Sequence, residues 1–182
     1  MHELNNQELY QALHYAKSLD QEAGQRILIQ FQIDQPQFFQ TLFNTFAEII
    51  SAQDVELSHL YMDLCFDVVC IYQKTFGSMP KFKDDPVWME RQVESLTKLI
   101  KPFSNNKNLS EKQIHRLKDD FWQPEAGELA QTVLVSFLHT AIDEHAKAHK
   151  SDTAAVELTK AMAFMTVKLF TALYASKPAS VH

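Results

Sequence analysis

Residues 54–76 read DVELSHLYMDLCFDVVCIYQKTF, and the fold follows from how this stretch is interpreted. At a helical repeat, Glu56, His59, Asp63 and Asp67 fall at i, i+3, i+7 and i+11 and stack along one edge. Leu57, Leu60, Tyr61, Leu64, Cys65, Phe66, Val68, Val69, Ile71 and Tyr72 take up the rest of the circumference, the pattern of a helix with neighbours on most sides. Asp54 stands where an N-cap carboxylate belongs, and Gly77 where a left-handed stop belongs. The stretch is therefore predicted to be a central hydrophobic helix at about 54–76 that exposes only a thin acidic seam.

Upstream, the strongest start signal is Asp34-Gln35-Pro36, a cap followed by proline in the first turn. Phe39, Leu42, Phe43, Phe46, Ile49 and Ile50 then form an amphipathic face that could contribute on the order of 10 kcal/mol to the core. Truncating Phe43 or Phe46 to Ala is expected to cost roughly 3 to 5 kcal/mol. A first helix is expected from about Asn6 to Leu19, and Asp20 can cap a second. Within that second helix, ILIQFQI (Ile27 to Ile33) alternates like a strand. It is still assigned to helix, because no partner strand is in sight and a lone strand leaves its backbone unpaired.

Downstream, Asp84-Asp85-Pro86 repeats the cap-and-proline device, and Pro102 ends the helix it starts. Ser110 with Gln113 makes a capping box for a short helix carrying Ile114, Leu117 and Phe121. Gln123-Pro124-Glu125 is expected to start a long helix reaching about His149, and Asp152 to cap the last. That last helix has two apolar faces, Val156, Ala163, Val167, Phe170 and Leu173 on one and Met162, Met165 and Leu169 on the other. Such a helix is either central or part of a subunit contact. The expected architecture is all-α, one compact bundle of seven or eight helices forming a single domain over residues 1–182.

Composition agrees. Three glycines and six prolines in 182 residues are too few for the turns of a sheet protein. At 46% hydrophobic and 22% charged, the chain matches a globular domain. MHELNNQELY lacks a basic region followed by an apolar run, and Ala161 to Ala175 is too short to span a bilayer and contains Lys168. The expectation is a cytoplasmic protein without membrane segments, with Cys65 and Cys70 as buried thiols. The net charge of −6 is uneven, with −8 over residues 1–73 and +2 over the remainder. An acidic chain is a poor nucleic-acid binder, so no nucleic-acid partner is expected.

Nucleophilic catalysis has no support, since no Gly-x-Ser-x-Gly elbow is present. With Gly24, Gly77 and Gly127 as its only glycines, the chain has no phosphate-cradling loop of the usual form. The one sharp candidate is a metal site. His and carboxylate residues at helical spacing on facing helices are how bundle proteins hold non-haem iron or manganese, and Glu56, His59 and Asp63 on one helix could face His139 and Asp143 on another. Glu56-x-x-His59 has the spacing of the Glu-x-x-His element of ferritin-like di-iron proteins, which need two such elements and two further glutamates; a single element is found here. His145-x-x-x-His149 shares a spacing with haemerythrins without their other histidines, and helix-end histidines ordinarily interact with the last carbonyls. The residues thus point first to a non-enzymatic protein-interaction module acting as a homodimer, with no cofactor. The alternative is a metal-binding protein or enzyme using iron or manganese. A third reading is an apolar pocket for a small hydrophobic ligand.

Overall fold

The computed structural model describes residues 1–81, 87, 91–92, 94 and 129–175. Six helices are delimited there: α1 (Asn6–Ser18), α2 (Gln21–Asp34), α3 (Pro36–Gln40, a π-helical segment Thr41–Phe46, and Ala47–Ser51), α4 (Val55–Phe76), α5 (Thr132–His149) and α6 (Thr153–Ala175). No strand occurs among the described residues, so the fold is all-α there. The expected count of seven or eight is not supported among the described residues. The helices anticipated after Pro86 and Ser110 lie largely outside the described residues.

Local capping chemistry sets most boundaries. The Asn5 side chain accepts from the Glu8 amide while Glu8 accepts from the Asn5 amide, closing a capping box on α1. Asp20, Asp54 and Asp152 accept from the amides of Ala23, Leu57 and Ala154 and start α2, α4 and α6. Gly77, at φ 85° and ψ −166°, ends α4 in a backbone region that residues with a Cβ avoid.

Helix α4 packs against α1, α3, α5 and α6, as its apolar circumference implies. Its polar line, however, splits in two. Glu56, His59 and Asp63 are exposed, whereas Asp67 is buried and bound through both carboxylate oxygens to the Lys17 ammonium of α1, at 2.9 and 3.1 Å. The seam is therefore not solvated along its whole length: α1 crosses its far end and supplies the cation that a buried carboxylate needs. Burial still dominates at Asp67 and raises its pKa, with Lys17 opposing. Burial likewise pushes the thiols of Cys65 and Cys70, both free, up to about 12, which leaves them unreactive at neutral pH.

Helix α6 is the more enclosed of the two long helices, with both predicted apolar faces buried inside the chain. It runs parallel to α4, because the side-chain links between them rise in step. Tyr61 meets Thr166 (2.9 Å), Tyr72 meets Thr171 (2.7 Å), and Tyr174 donates to the Gly77 carbonyl (3.0 Å). These hydroxyls are buried, and each finds the partner that burial requires. An aromatic cluster fills the space between α2, α3, α4 and α6. Phe31 and Phe38 lie 5.5 Å apart edge to face, and Phe170 sits 4.7 Å from Phe38 and 5.1 Å from Tyr72. Phe31 is the sole fully inward residue of the alternating ILIQFQI run, and Ile29 and Ile33 remain exposed.

Two expectations need correction. In α3 the buried residues are Phe38, Leu42, Phe46, Ala47 and Ile50, while Phe39, Phe43 and Ile49 are half-buried. The spacing of four from Phe38 to Ile50 overshoots an α-helical turn, and the wider π turn over Thr41–Phe46 keeps these side chains on one side. Phe38 and Phe46 are thus the enclosed rings, and Phe43 is not. Helix α5 begins at Thr132 and not near Glu125, because Gln131 adopts a left-handed conformation (φ 48°) that interrupts the helix. Its buried side chain accepts from the Leu4 amide (2.9 Å) and donates to the His2 carbonyl (3.0 Å), and Glu3 caps Thr132. The chain start, 127 residues away, holds this boundary in place.

Candidate metal centre

Three helix ends converge at one end of the bundle: the first turn of α4, the last turn of α5 and the start of α6. Because α4 and α5 run in opposite directions, Glu56 near the beginning of one meets His145 and His149 at the end of the other. One ligand atom from each of Glu56, His145 and His149 lies within 4.8 Å of the other two. A metal bound at about 2.1 Å by each would need donor atoms roughly 3 to 4 Å apart, within small side-chain adjustments of this arrangement.

The histidines are prepared for such a role. Their rings stack at 4.0 Å between centroids and 20° between planes, as their spacing of one helical turn allows. His149 Nδ1 lies 2.9 Å from the His145 carbonyl; with Nδ1–H donating there, Nε2 keeps its lone pair. His145 Nε2 is buried and has no hydrogen-bond partner among the described residues. Orphaned buried nitrogens are uncommon and call for an explanation, and a bound cation is one. Close by, Asp54 caps α4. Burial alone would raise its pKa, but the neighbouring Ser151 side chain, the amides of Leu57 and Glu56 and the proximity of His145 together hold it below the usual range. A second carboxylate therefore stays ionised beside the cluster.

Of the five residues singled out in the sequence, only Glu56 belongs to this group. His59 and Asp63 lie on the exposed edge of α4. Asp143 is bound to Lys160 of α6 at 2.7 Å, and Lys160 also approaches Glu157 at 3.6 Å. His139 faces the same network, where burial and the Lys160 charge lower its pKa. The Asp143 carboxylate is thus engaged by an ammonium. The pair His145 and His149 went unassigned because i, i+4 histidines at a helix end have an ordinary explanation; the signal that could have raised them was an acid in the first turn of an antiparallel neighbour. The apolar excess on α6 that suggested a homodimer is consumed within the chain, which leaves that expectation without its motive.

Two imidazoles and one carboxylate, half exposed, can hold a first-row divalent metal and leave coordination positions open to solvent or ligand. No helix among the described residues is long and apolar enough to cross a membrane. Comparison of the chain with known protein families, curated proteins and solved structures returned no match.

Proposed function

We propose that the protein is a helical-bundle metal-binding protein that holds one divalent transition metal through Glu56, His145 and His149. The observation that carries this reading is the approach of those three donors to within 4.8 Å of one another across two helices. The mixed nitrogen and oxygen set suits iron(II) or zinc; manganese, a harder ion, prefers more carboxylate. Because the donors come from α4 and α5, a bound metal clamps the two helix ends together, and its affinity adds to the stability of the fold.

Protein purified without a histidine tag, stripped of metal and titrated with zinc or anaerobic iron(II), should take up about one equivalent. It should gain about 2.7 kcal/mol of stability at a free metal concentration 100 times Kd. The His145→Ala/His149→Ala variant should bind at least about 100-fold more weakly while retaining its helical content. Unchanged uptake by that variant sinks the assignment.

A further inference from the structure

Gln131, the residue before α5, is fully buried and left-handed at φ 48°. A residue with a Cβ takes that conformation only at a free-energy cost, so its surroundings must hold it there. Residues 2–4 do so. The Gln131 amide accepts from the Leu4 N–H at 2.9 Å and donates to the His2 carbonyl at 3.0 Å, so that segment satisfies both polar ends of a buried side chain. Gln131 makes no side-chain cap bond to α5. Glu3 takes that part, its carboxylate accepting from the Thr132 amide at 3.0 Å and from the Thr132 hydroxyl at 2.7 Å. Leu4 is buried in the core, and the His2 ring meets Phe76 of α4 edge-on at 5.3 Å.

Without those contacts the local balance reverses. Leu129, Ala130 and Gln131 are good helix formers, yet all three stand outside α5. The Val135 amide already bonds to the Gln131 carbonyl, but the next two bonds of the ladder, Leu134 to Ala130 and Val133 to Leu129, are not formed. Turning Gln131 right-handed would align those carbonyls with the two first-turn amides. We propose that residues 2–4 are a releasable strap on the start of α5. Docked, they hold Gln131 left-handed and α5 short; released, they let Gln131 turn right-handed and α5 lengthen through Ala130 and Leu129. The length of α5 thus reports whether the strap is docked, at the opposite end of the helix from the metal centre.

The test is NMR of the full chain with a chelator present, following backbone shifts of Leu129 to Gln131 and amide exchange at Val133 and Leu134. Leu4→Asp cannot rest in the core and should release the strap. The three residues should then take helical shifts, and exchange at Val133 and Leu134 should slow by at least about tenfold. Gln131→Ala deletes the clamp but keeps a good helix former, and should lengthen α5 with Leu4 intact. Combining Gln131→Gly with Leu4→Asp should suppress the lengthening, because glycine tolerates the left-handed conformation and is a poor helix former. If Gln131 stays left-handed in Leu4→Asp, or if the glycine variant lengthens α5 as fully, the proposal is overturned. Should Leu4→Asp fail to fold, Gln131→Ala decides, and non-helical shifts at Leu129 and Ala130 in that variant overturn it equally.

Discussion

Helices α4 and α6 lie side by side and point the same way, yet one keeps an edge in solvent and the other has almost none. On α4, Glu56, His59 and Asp63 are exposed. On α6, Thr159, Thr166 and Thr171 are buried, each accepted by a carbonyl or a tyrosine hydroxyl. The difference shows that enclosure does not track the presence of polar residues. It tracks whether each polar group can be satisfied where it stands. A threonine can bond back to the preceding turn of its own helix and be buried with little penalty, whereas a carboxylate needs a cation from elsewhere. Asp67 is the one member of the α4 seam to obtain such a cation, and it is the one that goes inside.

Substitutions at four places can break or sharpen this comparison. The largest effect is expected at the shared aromatic cluster: Phe170→Ala should cost about 3 to 5 kcal/mol in urea unfolding. Phe38→Ala should be similar, and Phe43→Ala clearly less because that ring is half-buried. A Phe43→Ala loss equal to that of Phe38→Ala would contradict the π-turn register of α3.

Next comes the buried end of the seam. Lys17→Met should cost about 2 kcal/mol near neutral pH, where it strands an ionised Asp67. The Asp67 pKa is already raised by burial, so folding favours its protonated form, and the stability associated with that proton is lost as pH rises through the raised value. The loss from Lys17→Met should therefore shrink as pH is lowered toward about 4, since a protonated carboxyl no longer needs the ammonium. A loss independent of pH would show that Lys17 acts by packing.

A smaller effect is expected where the two helices are laced together. Tyr72→Phe removes the hydroxyl bonded to Thr171 and should cost about 1 kcal/mol; in a double-mutant cycle, most of that should vanish in a Thr171→Val background. The smallest belongs to the open edge, where Asp63→Asn should stay within about 0.5 kcal/mol of the parent. A larger loss there would mean that the exposed edge has a partner.

Much of the secondary structure was legible because its determinants are local. Asp20, Asp54, Gly77 and Asp152 act on groups within four residues of themselves, and a cap read from the sequence does the same work in the fold. The candidate site was legible only in part. Glu56 lies in the group with His145 and His149, whereas Asp143, expected beside it, is paired with Lys160.

The sequence by itself determined that the described chain is helical, where α2, α4 and α6 begin, and that Cys65 and Cys70 go inside, because hydrogen bonds one turn long and helical periodicity are properties of neighbouring residues. Only the tertiary structure decided which acid of the α4 seam is enclosed, where α5 starts, which rings of α3 are enclosed, and that Glu56 meets two histidines from a distant helix. Each of those outcomes depends on which element crosses which, and the energy that selects it comes from contacts between residues far apart along the chain.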